Sequence, residues 1–264
     1  ISKVSAKPLN TAKLISLYSK SIDIVLATCN GEQYIEEQIN SILDNKNYHD
    51  LINRFIIVDD ASTDATLELI TEYAKQNVSI EVYQNVKQLG VIKNFEKGMG
   101  YTSSKYIMLS DQDDVWLPGK ISHCAGLLND TYDLVVSDAK VVDKDLVLIE
   151  ASFFTQCKSG KGIIKNLYKN SYLGCCMAFN RTVLDASIPF PKGIAMHDWW
   201  IGLIANSIGN VKFLDEPLIL YRRHGGNASA ATEISKSSII KKLNWRNRLL
   251  LALLSRIAKL KLSD

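Results

Sequence analysis

The pattern that most restricts the fold is an alternation. Short apolar runs at residues 22–27, 53–58, 80–84 and 106–109 are separated by segments of helical periodicity. Residues 32–45 place Ile35, Ile39, Ile42 and Leu43 on one helical face, and residues 62–76 and 92–99 read as two further helices. Strands alternating with helices imply βαβ units, and such units close only as a parallel sheet with both faces covered. The fold class expected is therefore α/β, Rossmann-like, with a mostly parallel central sheet flanked by helices. In such sheets ligands bind just beyond the carboxyl ends of the strands.

The strand ends carry the chemistry. The first run ends in Ala27-Thr28-Cys29-Asn30, the second in Asp59-Asp60, and the fourth in Asp111-Gln112-Asp113-Asp114. In a parallel sheet all three fall on one edge. Three carboxylates in four residues repel each other, and a cation relieves that repulsion. Carboxylate oxygens suit Mg²⁺ or Mn²⁺, and Mg²⁺ sites often share their coordination with substrate phosphates. A solvated acidic turn is the plain alternative, but it does not predict convergence of three polar strand ends. Asp59 and Asp60 also fit a strand-end turn, with Ser62 capping the following helix and Asp64 in its first turn.

The second half changes character. Short strands are expected at 134–136, 140–142, 147–149, 176–180, 211–214 and 218–221, the last two separated by a break at Glu216-Pro217. Met196-His197-Asp198-Trp199-Trp200 heads an apolar helix. A carboxylate at a helix start gains from the dipole, so Asp198 could be a simple cap. Two tryptophans beside it supply an apolar wall, and burial raises a carboxylate pKa toward the range useful for a base. His197 either orients Asp198 or is an ordinary surface histidine.

Composition excludes several classes. With 264 residues, 47% hydrophobic and 22% charged, the chain is an ordinary globular protein without repeats. No apolar run reaches the ~20 residues of a membrane helix. Five irregularly spaced cysteines form neither a disulfide framework nor a zinc pattern, which points to a reducing compartment. Eight basic residues and no acidic one lie between Lys236 and Lys261, leaving 23 basic against 28 acidic elsewhere. Ile239, Ile240, Leu243, Leu250, Leu254 and Ile257 recur there at helical spacing, with Leu249 and Leu253 widening the stripe. The expected organisation is one catalytic domain over residues 1–232, with a nucleotide-binding half at 22–120 and an acceptor half at 121–232. A basic amphipathic helical tail follows at 233–262. That tail fits either a protein core or an anionic membrane surface.

Seven motifs occur in order: ATCNG at 27–31, VDDASTD at 58–64, LGVIKNFEKG at 89–98, LSDQDDVWLPGK at 109–120, GCCMAFNR at 174–181, HDWW at 197–200 and YRRHGGN at 221–227. Together they resemble the inverting glycosyltransferases of family 2, which have the GT-A fold, and most of all the bacterial rhamnosyltransferase-type enzymes of surface polysaccharide synthesis. The resemblance spans about residues 22–229. It implies a nucleotide diphosphate sugar donor, UDP- or dTDP-linked, with a divalent metal (Mn²⁺ or Mg²⁺). It implies a glycan or lipid-linked glycan acceptor and no nucleic acid partner. Separately from the resemblance, the cysteine pattern points to a cytoplasmic setting, and the basic amphipathic tail to a possible peripheral seat on the inner face of the plasma membrane.

By the same resemblance Asp198 is the catalytic base. Asp113 is the principal metal ligand, Asp111 lies near the ribose or the metal, and His224 completes the metal shell. Ala27, Thr28, Cys29, Asn30, Asp60, Asn94 and Arg223 hold the nucleotide. Gly174, Cys175 and Trp199 line the acceptor pocket. The family usually has Tyr where this chain has Cys29. Two other classes remain open on the residues alone: a catalytically inactive sugar-nucleotide binder, and a metal-dependent nucleotidyltransferase. A receiver-like phospho-acceptor domain would leave the second half of the chain unexplained.

Overall fold

The computed structural model describes residues 11–128, 131–224 and 239–263. The first half runs α1 (Thr11–Tyr18), β1 (Ile22–Thr28), α2 (Ile35–Leu43), α3 (Tyr48–Leu51), β2 (Ile52–Asp59), α4 (Thr66–Gln76), β3 (Ile80–Gln84), α5 (Val91–Gly100) and β4 (Tyr106–Ser110). The second half continues β5 (Val115–Trp116), α6 (Lys120–Leu127), β6 (Leu134–Val142), β7 (Leu148–Glu150), α7 (Phe153–Cys157) and α8 (Ile163–Tyr168). A 3-10 turn at Gly174–Cys176 leads into β8 (Met177–Asn180), α9 (Arg181–Ser187), α10 (His197–Ile208), β9 (Val211–Arg222) and α11 (Ile239–Ser263).

All nine described strands join one sheet in the order β3-β2-β1-β4-β8-β6-β9-β5, with β7 pairing β6. The first four strands are parallel, as the alternation requires. Beyond β4 the sheet turns mixed: β8 is antiparallel to both β4 and β6, whereas β9 runs parallel to β6. The core is apolar on both faces, and Ile24, Val25, Leu26, Ile56, Ile57, Val58, Met108 and Leu109 have no exposed surface. Helix α5 lies close on β1 and β2 at Gly98, where an added Cβ would come within 2.6 Å of Val25 Cγ1. Buried Asp23 near the start of β1 is satisfied by the Ser103 and Ser104 N–H groups and the Ser104 hydroxyl. That contact fixes the loop entering β4, opposite the strand ends that matter for function.

Several expectations need correction. The two strands expected at 134–136 and 140–142 are one, β6, and those at 211–214 and 218–221 are one, β9. Their pairing slips between Ser137↔Leu214 and Asp138↔Pro217, so Asp215 and Glu216 bulge outward and Pro217 sits where no ladder donor is required. Helix α4 begins at Thr66, later than expected. Ser62 does not cap it: its N–H and hydroxyl both donate to Asp59. Asp64 Oδ1 takes the Thr66 N–H at 3.0 Å instead. The apolar stripe of the tail is divided between core and surface. Leu249 and Leu253 are buried in the core, whereas Leu250 and Leu254 are exposed. Helix α11 packs on α10 and α8, and Arg246 and Arg256 turn inward onto backbone carbonyls of Tyr168, Ala186, Ile188 and Pro189. The side chains of Ile239, Ile240 and Leu243 lie outside the described residues. Among the described residues no helix is long and apolar enough to cross a membrane.

Candidate active site

The parallel register brings the three polar strand ends to one edge: Thr28 pairs with Asp59, and Leu26 with Ser110. The loop after β1 is then tied to both neighbours. Gln112 enters it from the β4 side, where its Oε1 accepts the Cys29 N–H at 2.8 Å and the Thr28 hydroxyl at 2.7 Å. Its Nε2 returns to the Cys29 carbonyl at 3.3 Å. Gly31 is required here, because a Cβ would stand 2.6 Å from Gln112 Oε1. On the other side Asn30, at φ 50°, accepts the Thr63 N–H at 2.8 Å, and its own N–H reaches Ser62 Oγ at 2.9 Å. The Cys29 thiol stays half-buried beside Gln88 Nε2, and its pKa is raised by burial and then by the Asp60 and Asp59 charges.

Asp60 is buried and accepts the Leu89 and Gly90 N–H groups and Asn85 Nδ2, at 2.7–2.8 Å. Asn94, expected at the nucleotide, donates its Nδ2 to the Val58 carbonyl and accepts Asn85 Nδ2 on its Oδ1. Both therefore shape the floor through an Asn85 hub that the sequence reading missed. Asn85 follows β3 at a fourth strand end, and that position was the available signal.

The acidic turn after β4 is held from below and from the far strand. Arg222, at the end of β9, donates its N–H to Asp114 Oδ1 at 3.0 Å and its Nε to the Asp113 carbonyl at 2.8 Å. Its guanidinium also reaches Glu37 and the Lys144 carbonyl and covers the Tyr34 ring. Tyr34 in turn packs on His224, whose Nε2 lies 2.7 Å from Asp113 Oδ2. The expected pairing of Asp113 with His224 is thus present in the geometry. Arg222 was not anticipated. The neighbouring Arg223 was, and its side chain is exposed, with its N–H on the Val142 carbonyl.

Asp111, Asp114 and the Cys175 thiol place their donor atoms within 4.8 Å of one another. Burial first, then the charges of Asp113 and Asp198, push Asp111 up to about 7, while the Cys175 thiol and Lys120 pull it back. Asp114 is raised well above the carboxylate range by burial, then by Asp113 and Asp111. Asp114 Oδ2 is buried with no hydrogen bond. Crowded hard oxygens with one buried acceptor unsatisfied are what a divalent cation would complete, so the residues fit a metal. Cys175, expected on the acceptor side, is instead fully buried with these carboxylates. Beneath it Lys120, also fully buried, donates to the Cys175 carbonyl at 2.5 Å and lies 4.4 Å over the Trp116 ring.

Asp198 approaches the same cluster from α10. Its carboxyl is buried, accepts the Trp199 N–H at 2.5 Å, and is pushed up to about 7 by that burial. Bonding from the Gly174 backbone and the Asn170 side chain opposes the shift. Its charge reaches Asp111. Trp199 is buried, with its indole N–H on the Asn166 carbonyl at 2.6 Å, so it anchors the helix start. His197 neither hydrogen-bonds Asp198 nor faces solvent. It is buried, stacks on Phe95 at 4.1 Å, has no partner for either ring nitrogen, and is held neutral by burial with a pKa near 3. Gly174 packs against it: an added Cβ would lie 3.0 Å from His197 Nε2.

The arrangement is an edge of converging polar strand ends, a cluster fit for a metal, and a separate carboxylate with a pKa raised to about 7. Comparison with known proteins bears on the family and the fold. dTDP-rhamnosyl transferase RfbG of Shigella flexneri is 29% identical over 222 residues, covering 78% of this chain and 74% of that one. S. aureus TarS 1-349 in complex with UDP-GlcNAc superposes with a TM-score of 0.63 at 18% identity, covering 89% of this chain and 72% of that one. The mannosyltransferase PcManGT from Pyrobaculum calidifontis, in complex with GDP-Man and Mn2+, does so with a TM-score of 0.55 at 13% identity, covering 94% and 76%. These two structures share the fold. The profile of Glycosyl transferase family 2 matches residues 23–187. The chain therefore belongs to Glycosyl transferase family 2 and is a glycosyltransferase.

Proposed function

We propose that the enzyme transfers a hexosyl unit, rhamnosyl or a similar sugar, from a UDP- or dTDP-linked donor to a hydroxyl of a glycan or lipid-linked glycan, with inversion, in surface polysaccharide or glycolipid synthesis. The relatives named for rhamnosyl transfer and for teichuronic acid biosynthesis support that substrate class. The observation that carries the reading is the pairing of two features across one cleft: the crowded carboxylates of Asp111, Asp113 and Asp114, and the buried Asp198.

In this reading the loop at Ala27, Thr28, Cys29 and Asn30, with the floor made by Asp60 and Asn94, receives the nucleotide, and Arg223 covers it from the exposed side. Asp113, Asp111 and His224 would hold Mn²⁺ or Mg²⁺, with Asp114 available beneath them. A bound divalent ion supplies charge neutralisation for the leaving diphosphate. Asp198 removes the proton from the acceptor hydroxyl as that oxygen attacks the anomeric carbon opposite the diphosphate. General base catalysis contributes ~10² to 10⁴ in rate. Trp199 and the bare backbone of Gly174 hold the wall beside that hydroxyl, and Cys175 supports the wall from behind.

The test has two parts. A thermal-shift panel of sugar nucleotides with Mn²⁺ identifies the donor, since a ligand at 100 times its Kd adds ~2.7 kcal/mol of stability. Turnover with that donor should release a nucleoside diphosphate and give product of inverted anomeric configuration by proton NMR. Release of pyrophosphate would make the protein a nucleotidyltransferase. Donor binding without turnover on any hydroxyl acceptor would make it an inactive binder.

A further inference from the structure

Two stretches far apart in sequence lack acidic residues. One is 151–184, which carries Lys158, Lys161, Lys165, Lys169 and Arg181. The other is α11, which carries seven Lys and Arg residues over Ile239–Ser263. The fold brings them together: α11 packs on α8, and Arg246 ties the two by donating to the Tyr168 carbonyl at 2.6 Å while lying 4.8 Å over the Tyr168 ring. Both elements expose apolar side chains at this seam. Ile164 is 85% exposed and Tyr168 71%, one turn apart on α8. Leu250 is 39% exposed and Leu254 56% on α11. Leu250 and Leu254 follow Arg246 at successive four-residue steps, so they share its flank, the one that meets α8. Lys161, Lys165 and Lys169 are exposed beside Ile164 and Tyr168, and Arg248, Lys259 and Lys261 are exposed along α11.

We infer that this α8–α11 seam is a docking face for an anionic lipid bilayer surface. A protein partner would require only the leucines. The joint pattern, an aromatic and aliphatic row bordered by cations from two separate elements with no acidic residue on either, is the chemistry of an interfacial seat on anionic headgroups. The adjoining α9 carries one acidic residue, Asp185, against the exposed Lys161, Lys165, Lys169 and Lys261. The position also suits the chemistry. The carbonyl of Asn166, on α8, accepts the Trp199 indole, so α8 sits directly behind the segment carrying Asp198. A bilayer against α8 and α11 would hold a lipid-linked acceptor next to the proposed base. Only this last point rests on the function proposed above; the docking itself does not.

The test uses the full chain and reads binding without turnover. Protein is sedimented with vesicles of phosphatidylcholine alone, or of equal parts phosphatidylcholine and phosphatidylglycerol, at low and high salt. Two double variants are compared, Lys161→Glu with Lys165→Glu, and Leu250→Glu with Leu254→Glu. All four positions are exposed, and the melting temperature of each variant is checked against the parent. The expected result is pelleting with anionic vesicles only, reversed by salt, and weakened about tenfold or more by each pair. The inference fails if the parent stays in the supernatant with anionic vesicles, or if it pellets equally with both variants. It fails too if light scattering shows a dimer that the leucine pair dissociates while no vesicle binding occurs, because the face would then belong to a second copy. Failure of docking with intact transfer to a soluble acceptor leaves the proposed reaction standing.

Discussion

His224 Nε2 stands 2.7 Å from Asp113 Oδ2, and Arg222 two residues earlier holds the Asp113 carbonyl and the Asp114 carboxylate. One strand end therefore supports the acidic turn and delivers a potential metal ligand to it. Asp113→Ala removes the proposed ligand carboxylate and keeps the backbone carbonyl that Arg222 Nε bonds. The expected outcome is loss of the metal-dependent gain in donor affinity, with the fold intact. Calorimetric titration of the nucleotide with and without Mn²⁺ checks it, and equal affinity of variant and parent in metal would remove Asp113 from the site.

Arg222→Gln attacks the support instead. Arg222 is buried and its guanidinium bonds the Asp113 and Lys144 carbonyls and Glu37, so its loss strands the buried Asp113 carbonyl. Unsatisfied buried groups cost about 1–3 kcal/mol each. Chemical denaturation should show a drop of that order, and metal affinity should fall with it. A variant as stable as the parent would mean the turn holds itself.

Asp198→Asn keeps size and capping capacity but cannot take up a proton usefully. Donor binding should stay near normal while turnover falls about 10²-fold or more. If turnover survives, Asp198 is only a helix cap. The pH profile carries a second check. With its pKa near 7, Asp198 is protonated in acid, so kcat/KM should climb with pH through about 7. A cation at Asp111 offsets the negative charge facing Asp198, so added Mn²⁺ should move that limb to lower pH. A limb that shifts upward with metal contradicts the assignment.

His197 and Asp198 should influence stability in opposite directions. Asp198 keeps its proton in the folded state up to about 7, so its contribution is full below 3.8 and lost as pH rises from there to 7. His197 stays neutral down to about 3, whereas the unfolded side chain takes a proton below 6.5. Its contribution is therefore full above 6.5 and lost as pH falls toward 3. Each slope is at most ~1.4 kcal/mol per pH unit. Relative to the parent, Asp198→Asn should gain stability as pH rises from 4 to 7. His197→Leu should gain it as pH falls from 6.5. Melting temperatures across that range decide the point, and two variants that shift the same way would refute it.

Much of this site could be read from the sequence because its backbone positions follow from periodicity alone. Strand ends at Thr28, Asp59 and Ser110 fall together once the sheet is parallel, and Asp198 at a helix start is a local signal. Gln112, Asn85, Lys120 and Arg222 were not legible. Each is a polar residue whose partner lies elsewhere in the chain: Cys29 for Gln112, Asp60 for Asn85, Cys175 for Lys120, Asp113 for Arg222. The orientation of α11 was misjudged for a related reason. Its leucines fill so much of the helix that spacing does not single out one face, and contact with α8 and α10 selects Leu249 and Leu253.

The Gln112 clamp has a thermodynamic consequence. Its amide holds both the carbonyl and the N–H of Cys29, while the residues on either side of Gln112 belong to the carboxylate cluster. The loop that would meet a nucleobase and the turn that would meet a metal share one side chain and must shift together. An ion that settles Asp111 and Asp113 thereby lowers the cost of ordering residues 28–30, and a nucleotide seated on that loop repays the favour to the ion by the same factor, because such cooperativity is reciprocal. Under the proposed function each ligand would be an effector of the other across a single glutamine.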